Sequence, residues 1–204
     1  MPSSPLRHEL SGPFALGGAE PQAIIGSLLG DFTKGPIPTD WPPALQAAVA
    51  LHRRIDSFTD RHPVVRLSRQ RFQSRFRRYA GILIDLYYDH FLACEWPRYS
   101  TVPLEQFRHS VYTLLHDAHP TFPPAMQRSV AYMLRYDLLL SYRDVDGIAR
   151  ALRGIETRLK RPSALGEAVT DLRDHYSAFS SDFGHFFPQL IDFVGTQRHN
   201  RASV

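Results

Sequence analysis

The stretch Leu51-His52-Arg53-Arg54-Ile55-Asp56-Ser57-Phe58-Thr59-Asp60 sets His52, Asp56 and Asp60 at successive intervals of four. On a helix of about 3.6 residues per turn such positions drift only slowly around one side. The stretch therefore predicts a helix with a polar stripe. Leu45, Val49, Leu51, Ile55 and Phe58 recur at helical spacing on the same segment, which opens at Pro42 or Pro43 and stops before Pro63. Two readings of the stripe stand side by side. Asp56 pairing with Arg53 or a neighbouring helix, and Asp60 capping the next helix, would make it structural; a second acidic helix facing it would make it a metal site.

Such a helix is present in the sequence. Ile82-Leu83-Ile84-Asp85-Leu86-Tyr87-Tyr88-Asp89-His90-Phe91-Leu92-Ala93 carries Asp85 and Asp89 one turn apart in an otherwise apolar run, predicted over about 79–95 and ended by Pro97. Burying an unpaired charge is strongly unfavourable, so these carboxylates need partners. Asp31 is a further candidate. A short helix after Pro21 carries Ile24, Ile25, Leu28 and Leu29 and stops at Gly30-Asp31-Phe32, ahead of Gly35-Pro36. Asp31 then serves either a local turn or the same site.

Further along, Val64 to Arg78 is rich in arginine, with Leu67, Phe72 and Phe76 as expected buried positions. Helices are expected near 103–118, 123–139, 142–159, 163–178 and 180–198, and no segment alternates with period two. Leu138, Leu139 and Leu140 are expected in the core, and Phe183, Phe186, Phe187 and Pro188 in packing. Tyr142-Arg143-Asp144 is expected to open a helix. His109, His116 and His119 are read as surface residues, and Asp171 with His175, one turn on, as an ion pair in preference to a contribution to the site. The fold class is all-α: one helical domain over 21–199, an irregular arm rich in Pro, Ser and Gly over 1–20, and a tail over 200–204.

With 204 residues, 43% hydrophobic and 22% charged, the chain suits one globular domain with a substantial core. No apolar run reaches the ~20 residues that span a bilayer, and the N-terminus lacks the apolar segment of a secretory signal. One cysteine, Cys94, allows no internal disulfide, which suits a cytoplasmic protein. The net charge is +4 and the pI about 9.4. That charge is concentrated: Arg61, Arg66, Arg69, Arg71, Arg75, Arg77 and Arg78 fall in one segment, a basic face suited to an acidic partner or simply to solvent. The aromatic and glycine signature of a single-strand nucleic-acid module is missing. An acidic protein therefore ranks above nucleic acid, and neither nucleic acid nor membrane is an expected partner. Walker loop, dinucleotide fingerprint, CxxC and G-x-S-x-G elbow are all absent.

Gly30-Asp31-Phe32 with Lys34-Gly35, His52-Arg53-Arg54-Ile55-Asp56 with Thr59-Asp60, and Asp85-Leu86-Tyr87-Tyr88-Asp89-His90-Phe91-Leu92 together resemble the acyl carrier protein phosphodiesterases. Tyr142-Arg143-Asp144, Asp171-Leu172 with His175-Tyr176, and Phe187-Pro188 continue the resemblance in the same order, over about residues 22–194. It implies an all-helical fold like that of HD-type phosphohydrolases, with Asp89-His90 in place of the usual His-Asp order. It also implies a divalent-metal-dependent enzyme that removes 4'-phosphopantetheine from the serine of holo-acyl carrier protein. One departure lies at the start: family members typically open near Met-Asn-Tyr/Phe-Leu-Ala-His-Leu, whereas here Leu10 to Gly18 reads Leu-Ser-Gly-Pro-Phe-Ala-Leu-Gly-Gly and the upstream histidine, His8, has another context.

Carboxylates with one or two imidazoles favour Mn²⁺ or Mg²⁺ over thiolate-type zinc. The ligands assigned on this basis are Asp31, His52, Asp89 and His90. Asp56, Asp60 and Asp85 are further ligands, orienting groups or the base that takes a proton from water, and Arg53 or Arg54 holds a phosphoryl oxygen. Arg54, Arg66, Arg69, Arg75 and Arg78 are the expected contacts to the acidic carrier. Two alternatives remain: an HD-type phosphohydrolase acting on a nucleotide, and a non-catalytic module that binds acyl carrier protein. Oligomeric state is not legible in the sequence.

Overall fold

The computed structural model describes residues 20–159 and 163–202, and the expected N-terminal arm and its His8 lie outside these. The described residues form α-helices and short 3-10 turns, with no strand among them. In order these are α1 (Pro21–Phe32), α2 (Pro43–Arg61), α3 (Pro63–Gln70), a 3-10 turn Ser74–Tyr79, α4 (Ala80–Cys94), α5 (Leu104–Ala118), α6 (Pro124–Tyr136), α7 (Leu138–Ser141), α8 (Val145–Glu156), a 3-10 turn Leu165–Ala168, α9 (Val169–Asp174) and α10 (Tyr176–Ala202). Proline occupies the first turn of α1, α2, α3 and α6, where its missing N–H has no helical acceptor to serve.

The middle of the molecule is α4. Of its 15 residues 13 are buried, Asp85, Asp89 and His90 included, so it has no solvent face. It is surrounded by α3, α8, α10 and the Ser74–Tyr79 turn. Beside this centre α1 packs along α2 more closely than ordinary side chains permit. A Cβ at Gly26 would stand 2.4 Å from that of Ala48, and one at Gly30 would stand 2.2 Å from the His52 ring. The contacts advance together along both helices, so α1 and α2 run the same way and the link 33–42 carries the chain back.

The last helix, α10, is one 27-residue element with Pro188 inside it. The sequence reading divided this region near residue 179; the break falls instead at His175, and the helix continues past the expected boundary at 199. A proline costs a helix one backbone bond, but Phe179, Phe183, Phe186, Phe187, Leu190 and Val194 are all buried along this helix. Tertiary burial of that stripe carries the helix through. A second break was also not foreseen. Asp137 adopts φ 47°, ending α6, and Arg108 clamps its carboxylate with two bonds of 3.0 and 2.8 Å.

Three local expectations change. Leu67 is 47% exposed rather than core, while Phe72 and Phe76 are buried. Asp171 does not pair with the His175 side chain; it is buried and accepts from the backbone N–H and side-chain amide of Gln73, at 3.0 and 2.7 Å. His119 is half-buried, with its Nε2 3.1 Å from the Gln127 carbonyl.

Asp182 on α10 joins three helices. It accepts from Ser68 Oγ at 2.6 Å and from Arg71 Nε and Nη2 at 3.0 and 3.2 Å. Ser68 has given its proton to Asp182, so the Tyr88 hydroxyl is the donor in their 2.8 Å bond. Asp182→Ala leaves Arg71 and Ser68 without their acceptor, and the expected loss of stability is about 3 kcal/mol, read from urea unfolding.

Candidate active site

His52 is the focus. The ring is 2% exposed, pressed against α1 at Gly30. Its Nε2 lies 3.5 Å from Asp31 Oδ1 on α1 and 3.3 Å from Asp56 Oδ2, one turn along α2. The Asp31 side chain is 8% exposed and that of Asp56 27%, so the cluster is sealed on the α1 side and opens toward solvent at Asp56. Arg53 Nη2 donates to the Thr33 carbonyl at 2.8 Å, tying the end of α1 that carries Asp31 to the helix that carries His52. Thr33 Oγ1 returns a bond to Leu29 O at 2.7 Å and closes the last turn of α1.

Burial alone would depress the pKa of His52. Hydrogen bonding and charge from Asp31 and Asp56 outweigh it and raise the pKa from 6.5 to about 10. With no cation bound, the ring is therefore the positive charge between two carboxylates. A raised folded-state pKa gives stability that is complete below about pH 6.5 and lost as pH climbs through about 10. In chelator-treated protein the urea midpoint is expected to fall across that window, and this part of the slope should vanish in His52→Gln.

Next to the cluster a narrow cleft of about 40 Å³ separates α2, α4 and α10. Asp85 and Asp89 line it from α4, Ile55 and Thr59 from α2, and Phe186 and Leu190 from α10. The structure thus brings Asp31, His52 and Asp56 together and sets Asp85 and Asp89 in the adjoining cleft. It leads His90 elsewhere. Nδ1 of that ring donates to the Tyr142 carbonyl at 2.8 Å, which leaves Nε2 to accept the Tyr176 hydroxyl proton at 2.9 Å. Burial lowers the His90 pKa, consistent with this neutral tautomer. To act as a ligand, His90 would first have to surrender one of these bonds.

The remaining candidates are dispersed. Asp60 accepts from Arg69 at 2.6 Å, Arg75 pairs with Glu167 at 2.7 Å, and Arg78 lies over the Tyr79 ring. Arg54 donates to Gln197 at 2.9 Å, and Arg66 is exposed on α3. Two site residues went unrecognised in the sequence, Thr59 in the cleft and Gly30 beneath the imidazole. The Gly26-x-x-x-Gly30 spacing was the available signal for the second, since glycines one turn apart mark a close helix approach.

Among the described residues no group of three or more His, Cys, Asp or Glu side chains is arranged as it stands to hold a metal ion. What converges is two carboxylates on one imidazole, at 3.5 and 3.3 Å from its Nε2, while its buried Nδ1 has no hydrogen-bond partner among the described residues. In chemistry this donor set fits a hard or borderline divalent ion, which would take the place of the His52 proton.

Helices that bury an imidazole between carboxylates, beside an acid-lined cleft, make the described residues an all-helical domain with a polar cluster in its interior. The chain belongs to the acyl carrier protein phosphodiesterase family. The family model described as acyl carrier protein phosphodiesterase matches residues 14–190. Proteins named acyl carrier protein phosphodiesterase from Escherichia coli O157:H7 (strain EC4115), O139:H28 (strain E24377A) and K12 (strain DH10B) are each 37% identical over 174 residues, 83% of this chain and 88% of theirs. No solved structure matches the chain. No helix of the described residues is long and apolar enough to cross a membrane.

Proposed function

We propose that this chain hydrolyses the phosphodiester of holo-acyl carrier protein, giving apo-carrier and 4'-phosphopantetheine. The observation that carries the reading is His52 held between Asp31 and Asp56 at the edge of the Asp85–Asp89 cleft, in a chain of this family. The reading extends to a fold of HD-phosphohydrolase type, supported by His and Asp donors borne on neighbouring helices, and to the cytoplasm, in keeping with a single cysteine.

Asp31, His52 and Asp56 would hold a divalent cation, Mn²⁺ or Mg²⁺, with Asp85 and Asp89 available from the cleft. When bound, such an ion supplies a water of lowered pKa and neutralises charge growing on the phosphoryl oxygens. The rest of the work falls to the protein. Arg53 uses one guanidinium nitrogen on Thr33 and keeps other donors for a non-bridging oxygen. Carboxylates of the cleft orient water and accept its proton. Phe183, Phe186 and Phe187 give the cleft an apolar wall that limits competing water.

Intact-mass spectrometry of holo-carrier incubated with chelator-stripped protein, with and without Mn²⁺, tests this. Loss of the prosthetic group only with Mn²⁺ is the expected result. Turnover of free nucleotides with holo-carrier untouched would replace it by a nucleotide phosphohydrolase. Carrier binding with the prosthetic group intact under both conditions would leave a non-catalytic module.

A further inference from the structure

A second surface feature lies on the outer side of α2. Its C-terminal half and the last turns of α10 enclose a groove of about 470 Å³, with Phe58 and Phe193 among its lining and Arg54, Arg61 and His62 beside them. Past Arg54 and Gln197 the groove runs on into a hollow of about 340 Å³ lined in part by Ile37, Leu51 and Arg198. No Asp or Glu of the described residues lines either part. A surface that combines half-buried aromatic rings with cations alone is suited to a partner presenting apolar and acidic groups together.

The arginines differ in what they have left to offer. Arg69, Arg71 and Arg75 are bound to Asp60, Asp182 and Glu167 within the chain. Arg61 is exposed and makes no ion pair among the described residues, and Arg54 meets only the neutral Gln197 side chain. Cations not engaged by a carboxylate among the described residues therefore include Arg54 and Arg61 on the groove, as well as the exposed Arg66 and Arg77 further along the arginine-rich segment.

The groove also adjoins the reaction site. Phe58 stacks on Phe193 at 4.4 Å and on Phe186 at 6.3 Å, and the His62 ring meets Phe186 edge-on at 5.0 Å. Phe186 is in turn part of the wall of the Asp85–Asp89 cleft. A partner seated in the groove rests against the back of that wall.

We infer that this groove seats an acidic amphipathic helix of the carrier-protein substrate, its apolar side on Phe58 and Phe193 and its carboxylates on Arg54 and Arg61. The inference rests on the proposed substrate. It follows the helix-in-groove mode, in which apolar contacts anchor and charges set register and encounter rate.

The test is calorimetric titration of apo-carrier into the full chain at low and at moderate salt. Arg61→Glu is expected to weaken binding about 10-fold or more and to flatten the salt dependence, Arg61→Lys to stay within about 3-fold, and Arg128→Glu, exposed on α6, to match the parent protein. Arg61 is exposed, so these variants keep the fold, and circular dichroism verifies that. Unchanged affinity in Arg61→Glu, while the parent protein binds carrier and releases its prosthetic group, overturns the groove and leaves the substrate reading standing. A parent protein that neither binds carrier nor acts on the holo form overturns both. Sedimentation showing that Arg61→Glu abolishes self-association while carrier binding is untouched would assign the groove to a second copy of the chain.

Discussion

Gln in place of His52 is expected to lower the turnover of holo-carrier by about 10³-fold or more. The imidazole is the common contact of Asp31 and Asp56, at 3.5 and 3.3 Å, and every proposed role of the cluster passes through it. The same change has a structural cost that must be separated from the catalytic one. Without the imidazolium, two carboxylates share a buried site with no cation between them, and one of them is driven to take a proton. Stability of the variant should therefore drop most near neutral pH and recover as the solution is made acidic, whereas the parent loses its His52 contribution only as pH climbs from about 6.5 toward about 10. His52→Gln combined with Asp31→Asn removes the repulsion. It should regain most of the lost stability and none of the activity, measured by urea unfolding and by the mass of the carrier.

Ala in place of Gly30 should be nearly as damaging, although helix propensity argues the other way. In an unobstructed helix the change from Gly to Ala is favourable by about 1 kcal/mol. Here the added methyl would stand 2.2 Å from one ring carbon of His52 and 2.8 Å from Nε2. Either the ring turns away from Asp31 or α1 moves off α2. The expected result is a stability loss of about 2 kcal/mol and a fall in kcat of about 10²-fold, the scale of a misplacement near 1 Å. Gly195→Ala is the control. That position lies in α10 with open space around its Cβ, so Ala there should stabilise. Loss of activity at Gly30 without any loss at Gly195, together with a shifted His52 imidazole resonance, would establish that the glycine positions the ring.

Both substitutions bear on what can be read from a sequence. The helical class and most of the first four boundaries follow from apolar spacing punctuated by proline, because Pro21, Pro43 and Pro63 each sit where a helix begins. His52 and Asp56 were legible as candidates because a four-residue interval has one meaning on a helix, and Asp31 because it stands at a helix end. The same logic could not show that Asp89 and His90, adjacent in sequence, point about 100° apart, so that one lines the cleft and the other meets Tyr142 and Tyr176. Neither could it show that the partner of Asp171 is Gln73, since a buried carboxylate is satisfied by whatever donor the fold brings near. Pro188 shows the limit of local rules. A residue that ordinarily interrupts a helix is overridden when the aromatic stripe around it is buried.

That proline lies near the changeover between two tasks of α10. Phe183, Phe186, Phe187 and Leu190 flank it and wall the cleft, whereas Phe193 and Gln197 lie further on and wall the groove. The rod is about 40 Å long at 1.5 Å per residue, and one rung is missing where the two spans meet, because residue 188 offers no N–H to the Gly184 carbonyl. A beam notched at that point tilts there at lower cost than anywhere else along its length. Pro188→Ala restores that bond, and the helix between cleft and groove is expected to stiffen.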